Sequence, residues 1–268
     1  TGLLRKNFGE KGALWGGWTF AVYPEGLLLG ASQMREPFLI LFFTIISWSS
    51  LRWLKNKRSI PAMGLFLISM IGLFLFSYRV ALPLMGILLA WVWIMESGKI
   101  RQTWLKILVT LAPVILIIGA VLFYGDWVRE VIAWDAKLTM IASGVIQYEL
   151  QSIPEWLHFP FIVLYGLFQP VLPATIAAPA PWIWRGLNIF RSLGWYALLP
   201  ILAYSFIRVW RLPDSWKKRW LIGMITFVWA WILLASARAG GDQWDNPRYR
   251  TILLPWMAII AGWVAADV

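Results

Sequence analysis

The chain has no cysteine, a single histidine and few charged residues, which make up 14% of its 268 positions. Without cysteine it can form neither a disulfide framework nor a thiolate zinc site, and it has no cysteine nucleophile. His158 alone cannot build a histidine-rich metal site. The sequence also lacks a glycine-rich phosphate loop and a nucleotide-binding strand–loop–helix unit. A soluble nucleotide donor is therefore not supported, and any donor should come from the membrane.

Apolar residues are abundant. They make up 60% of the chain, including 21 Trp and 15 Phe, and the mean hydropathy is +0.68. Because one soluble core cannot hide this much apolar surface, lipid must surround much of it. The apolar runs are continuous, which predicts membrane helices; barrel strands would alternate. We therefore expect an all-helical, polytopic membrane protein that forms a single transmembrane domain over residues 1–268.

Seven charge-free runs are spaced as membrane-crossing helices, and a weaker run at 12–29 is interrupted by Pro24 and Glu25. The seven runs are 37–51, 59–78, 80–95, 107–125, 192–207, 220–237 and 251–266. The sequence thus predicts about eight transmembrane helices. It begins at Thr1 without a methionine or a signal peptide, and we interpret it as a piece of a longer protein.

The 24 basic residues divide unevenly between the two predicted faces. Fifteen of them lie on one face, in four groups within 5–11, 52–58, 99–106 and 208–219. Cytoplasmic loops carry an excess of Lys and Arg, so this face is predicted to be cytoplasmic. The other nine are interleaved with acidic residues on the external face, as in a site that handles charged groups. The net charge of +11 therefore reflects topology, and we expect no nucleic-acid partner.

The longest predicted connection, 126–191, forms an external loop region. Its stretch 156–184 is uncharged but has five prolines, and the neighbouring spans place both its ends outside. We expect a re-entrant or interfacial segment on the outer leaflet that does not cross. Asp126, Glu130 and Asp135 could offer a carboxylate to a divalent cation, although their spacing fits a solvated helix face better. The sequence leaves such a cation open as a cofactor and predicts no metal site.

The first charged cluster lies around the external turn between the first two spans. Glu25 lies inside an apolar run, where an ionised carboxylate is costly unless it is paired or hydrated. Gln33, Arg35 and Glu36 follow in the turn. Glu36 has two interpretations, because with the proline after it this carboxylate can simply start a helix, or it can work together with Glu25.

A second cluster occupies the polar segment 240–250 between the last two spans. Arg248 and Arg250 flank Tyr249 there, and Asp245 precedes them. The guanidinium group is a planar fork that matches phosphate oxygens, so the two arginines could grip a phosphate or diphosphate. The alternative is a solvated loop whose arginines neutralise lipid headgroups.

Arg79 joins two apolar runs without a polar loop. Such an arginine either reaches lipid headgroups or binds an anionic ligand. The predicted topology brings five charged residues to one external anion site: Arg79, Arg248, Arg250, Glu25 and Glu36.

Four short segments occur in a recognisable order. They are Tyr-Pro-Glu at 23–25, Ser-Gln-Met-Arg-Glu-Pro at 32–37, Tyr-Arg at 78–79 with a proline at 83, and Asn-Pro-Arg-Tyr-Arg at 246–250 followed by Leu-Leu-Pro at 253–255. This order resembles the polyprenyl-phosphate-sugar-dependent glycosyltransferases of the GT-C class, the superfamily of protein O-mannosyltransferases and bacterial lipid A aminoarabinose transferases.

The resemblance implies a membrane enzyme that moves a sugar from a polyprenyl phosphate to an acceptor glycan, lipid or protein at the external face of the bacterial inner membrane. Arginines would hold the donor phosphate: Arg79, Arg248, Arg250 and Arg35. A carboxylate would serve as general base, Glu36 or Glu25. Contacts to the acceptor or sugar would come from Asp245, Tyr249 and Gln33. The family's principal catalytic Asp lies in an external loop ahead of the matched segments, and would therefore precede Thr1.

Two other functions fit the same features. An O-antigen-type polysaccharide polymerase also uses external arginines and long outer loops. A small-molecule transporter is the alternative outside the enzymes, but transporters usually carry charge inside several spans and show two related halves. Here Glu25 is the only charge expected within a span and no halves correspond, so transport is less favoured.

Overall fold

The computed structural model describes residues 2–55, 59–97, 150–177, 179–213, 215–240, 242 and 244–266. These residues form helices and no strand, as the composition predicts. The α-helices are α1 (Gly2–Val22), α2 (Pro24–Gly30), α3 (Glu36–Lys55), α4 (Ile60–Ser97), α5 (His158–Phe168), α6 (Leu172–Ala177), α7 (Trp182–Trp210), α8 (Trp216–Ala239), α9 (Asp245–Arg250) and α10 (Leu254–Ala266). Short 3₁₀ turns occupy Glu155–Leu157 and Thr251–Leu253.

Within the described residues, four stretches of helix are long and apolar enough to cross a bilayer: Ile60–Trp91, Trp182–Trp210, Lys217–Ala239 and Asp245–Ala266. The chain is therefore an integral membrane protein, and its surroundings are a lipid bilayer. The predicted spans at 12–29 and 37–51 correspond to α1 with α2 and to α3, which are not among the four. These two crossings and the total of eight stay predictions. The predicted span at 107–125 lies outside the described residues.

α4 is interrupted near its middle. Ser77 has an extended backbone (φ −165°, ψ 95°) that divides the 38-residue helix. A straight helix of that length would extend about 57 Å, nearly twice the hydrocarbon thickness. The break lies beside the boundary at Arg79 that the sequence predicts between two spans, although two separate crossings stay a prediction.

α1 and α10 approach each other until their backbones touch. A Cβ atom added at Gly262 would lie 2.4 Å from the carbonyl oxygen of Gly12 and 2.9 Å from the Cα of Gly16. Small residues four positions apart allow this close packing of membrane helices. The contact holds α1 on the core while its Trp15 and Trp18 stay more than half exposed.

The two ends of the helix bundle differ in the charges that they carry. At one end Lys217 lies 4.6 Å from the ring of Phe8, which stacks on Trp220 at 5.7 Å. The Arg208 guanidinium donates to the carbonyl of Val264 at 2.9 Å. The start of α1, the end of α7, the start of α8 and the end of α10 therefore meet at this basic end. The carboxylates at 25 and 36 belong to the opposite end, which we call the mixed-charge end.

The segment 156–184 contains α5, α6 and the start of α7. α5 has 11 residues, about 16 Å of helix, and is too short to cross. It packs at the end of α8, where a Cβ atom on Gly166 would lie 2.6 Å from the Cα of Gly240. This geometry favours a segment that does not cross, and its place on the outer leaflet stays a prediction.

The start of α7 corrects one sequence-based boundary. The predicted span begins at Ser192, but α7 begins at Trp182 after Pro181, ten residues earlier and within the predicted loop region 126–191. The sequence-based boundary assumes that a charge ends the apolar run. Arg191 instead lies within the helix, and its charge is buried against the Glu25 carboxylate. The remainder of that loop region from 126 to 149 lies outside the described residues.

Candidate functional site

The mixed-charge end contains a buried ion pair between α2 and α7. Arg191 Nε donates to Glu25 Oε2 at 2.6 Å, and Arg191 Nη2 donates to Glu25 Oε1 at 3.0 Å. The side chains are 1% and 3% exposed. Arg191 Nη1 also donates to Asn188 Oδ1 at 3.2 Å, and the guanidinium lies 4.4 Å from the ring of Trp244. Each oxygen of this carboxylate accepts a hydrogen bond from Arg191, so the two side chains fix each other's position.

A proline places Glu25 opposite Arg191. Tyr23 leaves the helical conformation (φ −58°, ψ 120°), and Pro24 then opens α2 with Glu25 in its first turn. A Cβ atom at Gly194 would lie 2.4 Å from the Pro24 ring, so only glycine lets α7 pack this closely on Pro24. Gly194 is one turn from Arg191 along α7, and this contact therefore brings the two charges to the same level.

Arg250 belongs to the same buried cluster. Its side chain lies over the Trp195 ring with the guanidinium carbon 3.6 Å from the centroid, and its Nη2 donates to the carbonyl of Gln169. Arg250 interacts electrostatically with Glu25 and Tyr23. The residue is 1% exposed. Sequence reasoning places Arg250 at an external anion site, whereas here it stabilises the junction of α9 with the turn after α5.

Glu36 forms the second ion pair of this end. It opens α3 and is fully buried, and its Oε1 accepts from Arg248 Nη2 at 2.8 Å and from Nε at 3.1 Å. Arg248 Nη1 lies 3.0 Å from Asp245 Oδ1 within α9. Arg35 Nε lies 3.6 Å from Glu36 Oε1. Glu36 therefore starts a helix, as its first interpretation predicts, and its joint action with Glu25 stays a prediction.

The other oxygen of Glu36 has different surroundings. Oε2 is buried and has no hydrogen-bond partner within the described part of the chain. The Glu36 side chain is 1% exposed and that of Arg248 is 23% exposed, so this pair reaches the surface only through its arginine. A carboxylate with one bound and one unbound oxygen can accept a proton from a hydroxyl group brought next to it.

Arg79 lies apart from both pairs. It is exposed and follows the break in α4, and its Nε contacts the Tyr78 hydroxyl at 3.3 Å. It lines a cavity of about 260 Å³ together with Arg238 and Tyr249. The ring of Tyr249 lies 5.1 Å from the guanidinium carbon of Arg238 and 5.6 Å from that of Arg248. Tyr249 thus adjoins both Arg79 and Arg248, whereas Arg250 contacts Trp195 and Gln169.

The remaining predicted contacts lie on the surface or at its edge. Gln33 and Arg35 are exposed in the turn before α3. Asp245 and Tyr249 are half-buried in α9, and the Tyr249 carbonyl accepts from Trp231 Nε1 at 2.9 Å. The structure brings Arg35 and Asp245 to the Glu36–Arg248 pair, whereas the Gln33 side chain is exposed in the turn before α3.

Sequence reasoning did not select four residues that build this end: Arg191, Asn188, Gln169 and Arg238. A signal existed for Arg191, because a carboxylate inside an apolar run requires a cation at the same depth. The expectation that Glu25 is the only charge within a span is therefore wrong. Gln169 Nε2 donates to the Gly240 carbonyl at 3.0 Å, a contact between distant segments that spacing alone does not reveal.

An apolar cleft lies between α1 and α3. It has a volume of about 320 Å³ and contains Phe20, Trp48, Trp91, Pro255 and Trp256. Its hydroxyl groups are occupied, because Thr44 and the neighbouring serine at 47 donate to carbonyls one turn back in α3. Such a cleft suits a hydrocarbon chain.

Among the described residues, no group of three or more His, Asp or Glu side chains could hold a metal ion. Asp126, Glu130 and Asp135, which could offer a carboxylate to a cation, lie outside the described residues. Comparison of the chain with family models, curated proteins and solved structures found no match.

Proposed function

We propose that this chain is a membrane glycosyltransferase that uses a polyprenyl-phosphate sugar as donor and acts at its mixed-charge end. The observation that carries the proposal is Glu36, a buried carboxylate whose Oε1 accepts from Arg248 and whose Oε2 has no partner among the described residues. The resemblance of segments 23–25, 32–37, 78–83 and 246–255 to GT-C enzymes supports the same reaction.

In the proposed reaction, Glu36 Oε2 accepts the proton of the acceptor hydroxyl. The acceptor oxygen forms the new bond to the anomeric carbon, and the bond from that carbon to the donor phosphate breaks. The phosphate leaves with the electron pair, and Arg248 and Arg35 beside Glu36 stabilise its charge. The apolar cleft between α1 and α3 receives the prenyl chain.

Arg250 and Glu25 have positioning roles in this proposal. Both are buried in the cluster that fixes α2, α7 and α9, and their partners Arg191 and Trp195 are buried with them. Asp245 holds the third guanidinium nitrogen of Arg248 and orients that side chain toward Glu36. Tyr249 and Gln33 lie near enough to the surface to contact the sugar or the acceptor.

The test compares Glu36→Gln with the wild-type protein in lipid nanodiscs that contain a radiolabelled polyprenyl-phosphate sugar. Loss of a general base should lower the transfer rate by about a hundredfold or more. Glu10→Gln is the matched control, because Glu10 is an exposed carboxylate at the other end, paired with Arg5. A wild-type rate in the Glu36 variant, or no transfer by the wild type, would contradict the proposal.

The external orientation is tested separately in intact cells. The chain is free of cysteine, so single cysteines at Ser215 and Gln151 can be labelled without background. Both positions are exposed. An impermeant thiol reagent should label Gln151→Cys and leave Ser215→Cys unlabelled until the cells are opened. The reverse pattern would place the mixed-charge end in the cytoplasm.

A further inference from the structure

The cavity between α4 and α8 contains two guanidinium groups in apolar surroundings. Arg79 comes from α4, Arg238 from the last turn of α8, and the Tyr249 ring closes the side toward α9. The other lining residues are apolar: Val80, Pro83, Trp231, Leu234 and Ala235. Two guanidinium groups that line the same cavity suit an anion with several oxygen atoms.

The described residues that line the cavity include the two arginines and no acidic side chain. Asp245 interacts with Arg238, but its carboxylate is bound by Arg248 at 3.0 Å. Tyr249 separates Arg238 from Arg248, and its position is fixed by the hydrogen bond from Trp231 to its carbonyl. Both cavity arginines also have contacts within the protein.

The cavity lies at the depth of lipid headgroups. Counted along α8 from Lys217, Arg238 lies about 32 Å from the basic end, close to one hydrocarbon thickness. Counted along α4 from Ile60, Arg79 lies at nearly the same height, about 29 Å. Leu82 and Leu234 beside the cavity are 59% and 47% exposed. In a bilayer such leucines face acyl chains, so the opening is on the lipid side.

We propose that Arg79 and Arg238 bind the phosphate group of a membrane lipid whose chains lie against α4 and α8. The volume of about 260 Å³ is several times that of one water molecule and accommodates a phosphate ester. Tyr249 provides an aromatic wall and keeps Arg238 directed into the cavity. The site binds lipid whether or not the chain transfers sugars, because it does not use Glu36.

The experiment measures lipid retention by the intact protein in detergent, using native mass spectrometry. Phosphatidylglycerol and diacylglycerol with the same acyl chains are offered separately, and inorganic phosphate is added as a competitor in a third arm. The wild type should retain phosphatidylglycerol about tenfold or more over diacylglycerol. The double variant Arg79→Gln with Arg238→Gln should lose this preference, and the double Lys variant should keep part of it.

Arg211→Gln is the matched control, because Arg211 is an exposed arginine at the basic end. It should keep the wild-type preference. If the double Gln variant does not fold, Leu234→Trp tests the same site by filling its opening while both arginines stay. Equal retention of the two lipids by the wild type, or an unchanged preference in these variants, would overturn the proposal. Displacement of phosphatidylglycerol by inorganic phosphate at equal concentration would show a soluble phosphate site.

Discussion

The two carboxylates at the mixed-charge end occupy similar places in the sequence but different environments. Glu25 and Glu36 each lie in the first turn of a helix, where the helix dipole favours a negative charge. Each is paired with an arginine from a distant helix. Arg191, the partner of Glu25, is 1% exposed, and Arg248, the partner of Glu36, is 23% exposed.

The difference favours Glu36 as the base of the proposed reaction. Both Glu25 oxygens accept hydrogen bonds from Arg191, so this pair is closed and joins α2 to α7. Glu36 uses only Oε1 and keeps Oε2 without a partner among the described residues. We infer that the first pair is a structural joint and that the second pair is the reactive one.

The largest effect expected is from breaking the closed pair. Arg191→Met should lower the free energy of unfolding by about 3–5 kcal/mol, because it leaves Glu25 charged and buried without its cation. Unfolding in mixed detergent, followed by circular dichroism, measures this change. The double variant with Glu25→Gln should lose less than the single variant, since no unpaired charge remains. Arg211→Met, at an exposed position, is the control and should have little effect.

Breaking the reactive pair should cost less stability. Arg248→Met should lower the free energy of unfolding by about 1–2 kcal/mol, because Arg35 stays 3.6 Å from Glu36 and Arg248 itself is partly exposed. The same unfolding measurement applies. A loss as large as that of Arg191→Met would mean that both pairs are structural joints, and the comparison would fail.

The fold class could be predicted from sequence because continuous apolar runs leave few choices. The predicted interruption at Pro24 also coincides with a real break, since proline cannot continue the helix hydrogen bonding there. The predicted span at 192–207 begins ten residues after the start of α7, because the prediction treats the charge of Arg191 as the end of an apolar run. A charge buried in a pair, as at Arg191, does not end a helix, and composition alone cannot distinguish paired from unpaired arginines.

The candidate site was predicted in part. Arg248, Glu36 and Asp245 were selected from sequence, and the structure brings them into contact across more than 200 positions. The prediction that Arg79, Arg248 and Arg250 share one anion site depends on the predicted topology. Topology gives the depth of each residue in the membrane but not the direction in which its side chain points. Arg250 points inward to Trp195, and Arg79 shares a cavity with Arg238.

A smaller loss of stability should follow removal of Trp244, whose ring covers the Glu25–Arg191 pair. Trp244 lies 4.4 Å from Arg191 and stacks edge-on against Trp184 at 6.0 Å. Trp244→Ala should lower the free energy of unfolding by about 0.5–1 kcal/mol, the range of a partly exposed cation–π contact. Trp18→Ala is a control at an exposed tryptophan of α1. Equal losses in the two variants would indicate that Trp244 acts through general packing and does not protect Arg191.

The smallest effect, and the most specific, is the response to salt. Mobile ions screen charges that water reaches and act weakly on buried pairs, and the Debye length falls from about 10 Å at 0.1 M to about 3 Å at 1 M ionic strength. The interaction energy of each pair is obtained from a double-mutant cycle, with Glu25→Gln and Arg191→Met in one cycle and Glu36→Gln and Arg248→Met in the other. We expect the Glu36–Arg248 energy to fall by a few tenths of a kcal/mol between the two salt concentrations, because Arg248 is partly exposed. The Glu25–Arg191 energy should stay constant within error, since both side chains are buried. If both energies fell equally, water would reach Glu25 as well, and Glu25 would compete with Glu36 for the role of base.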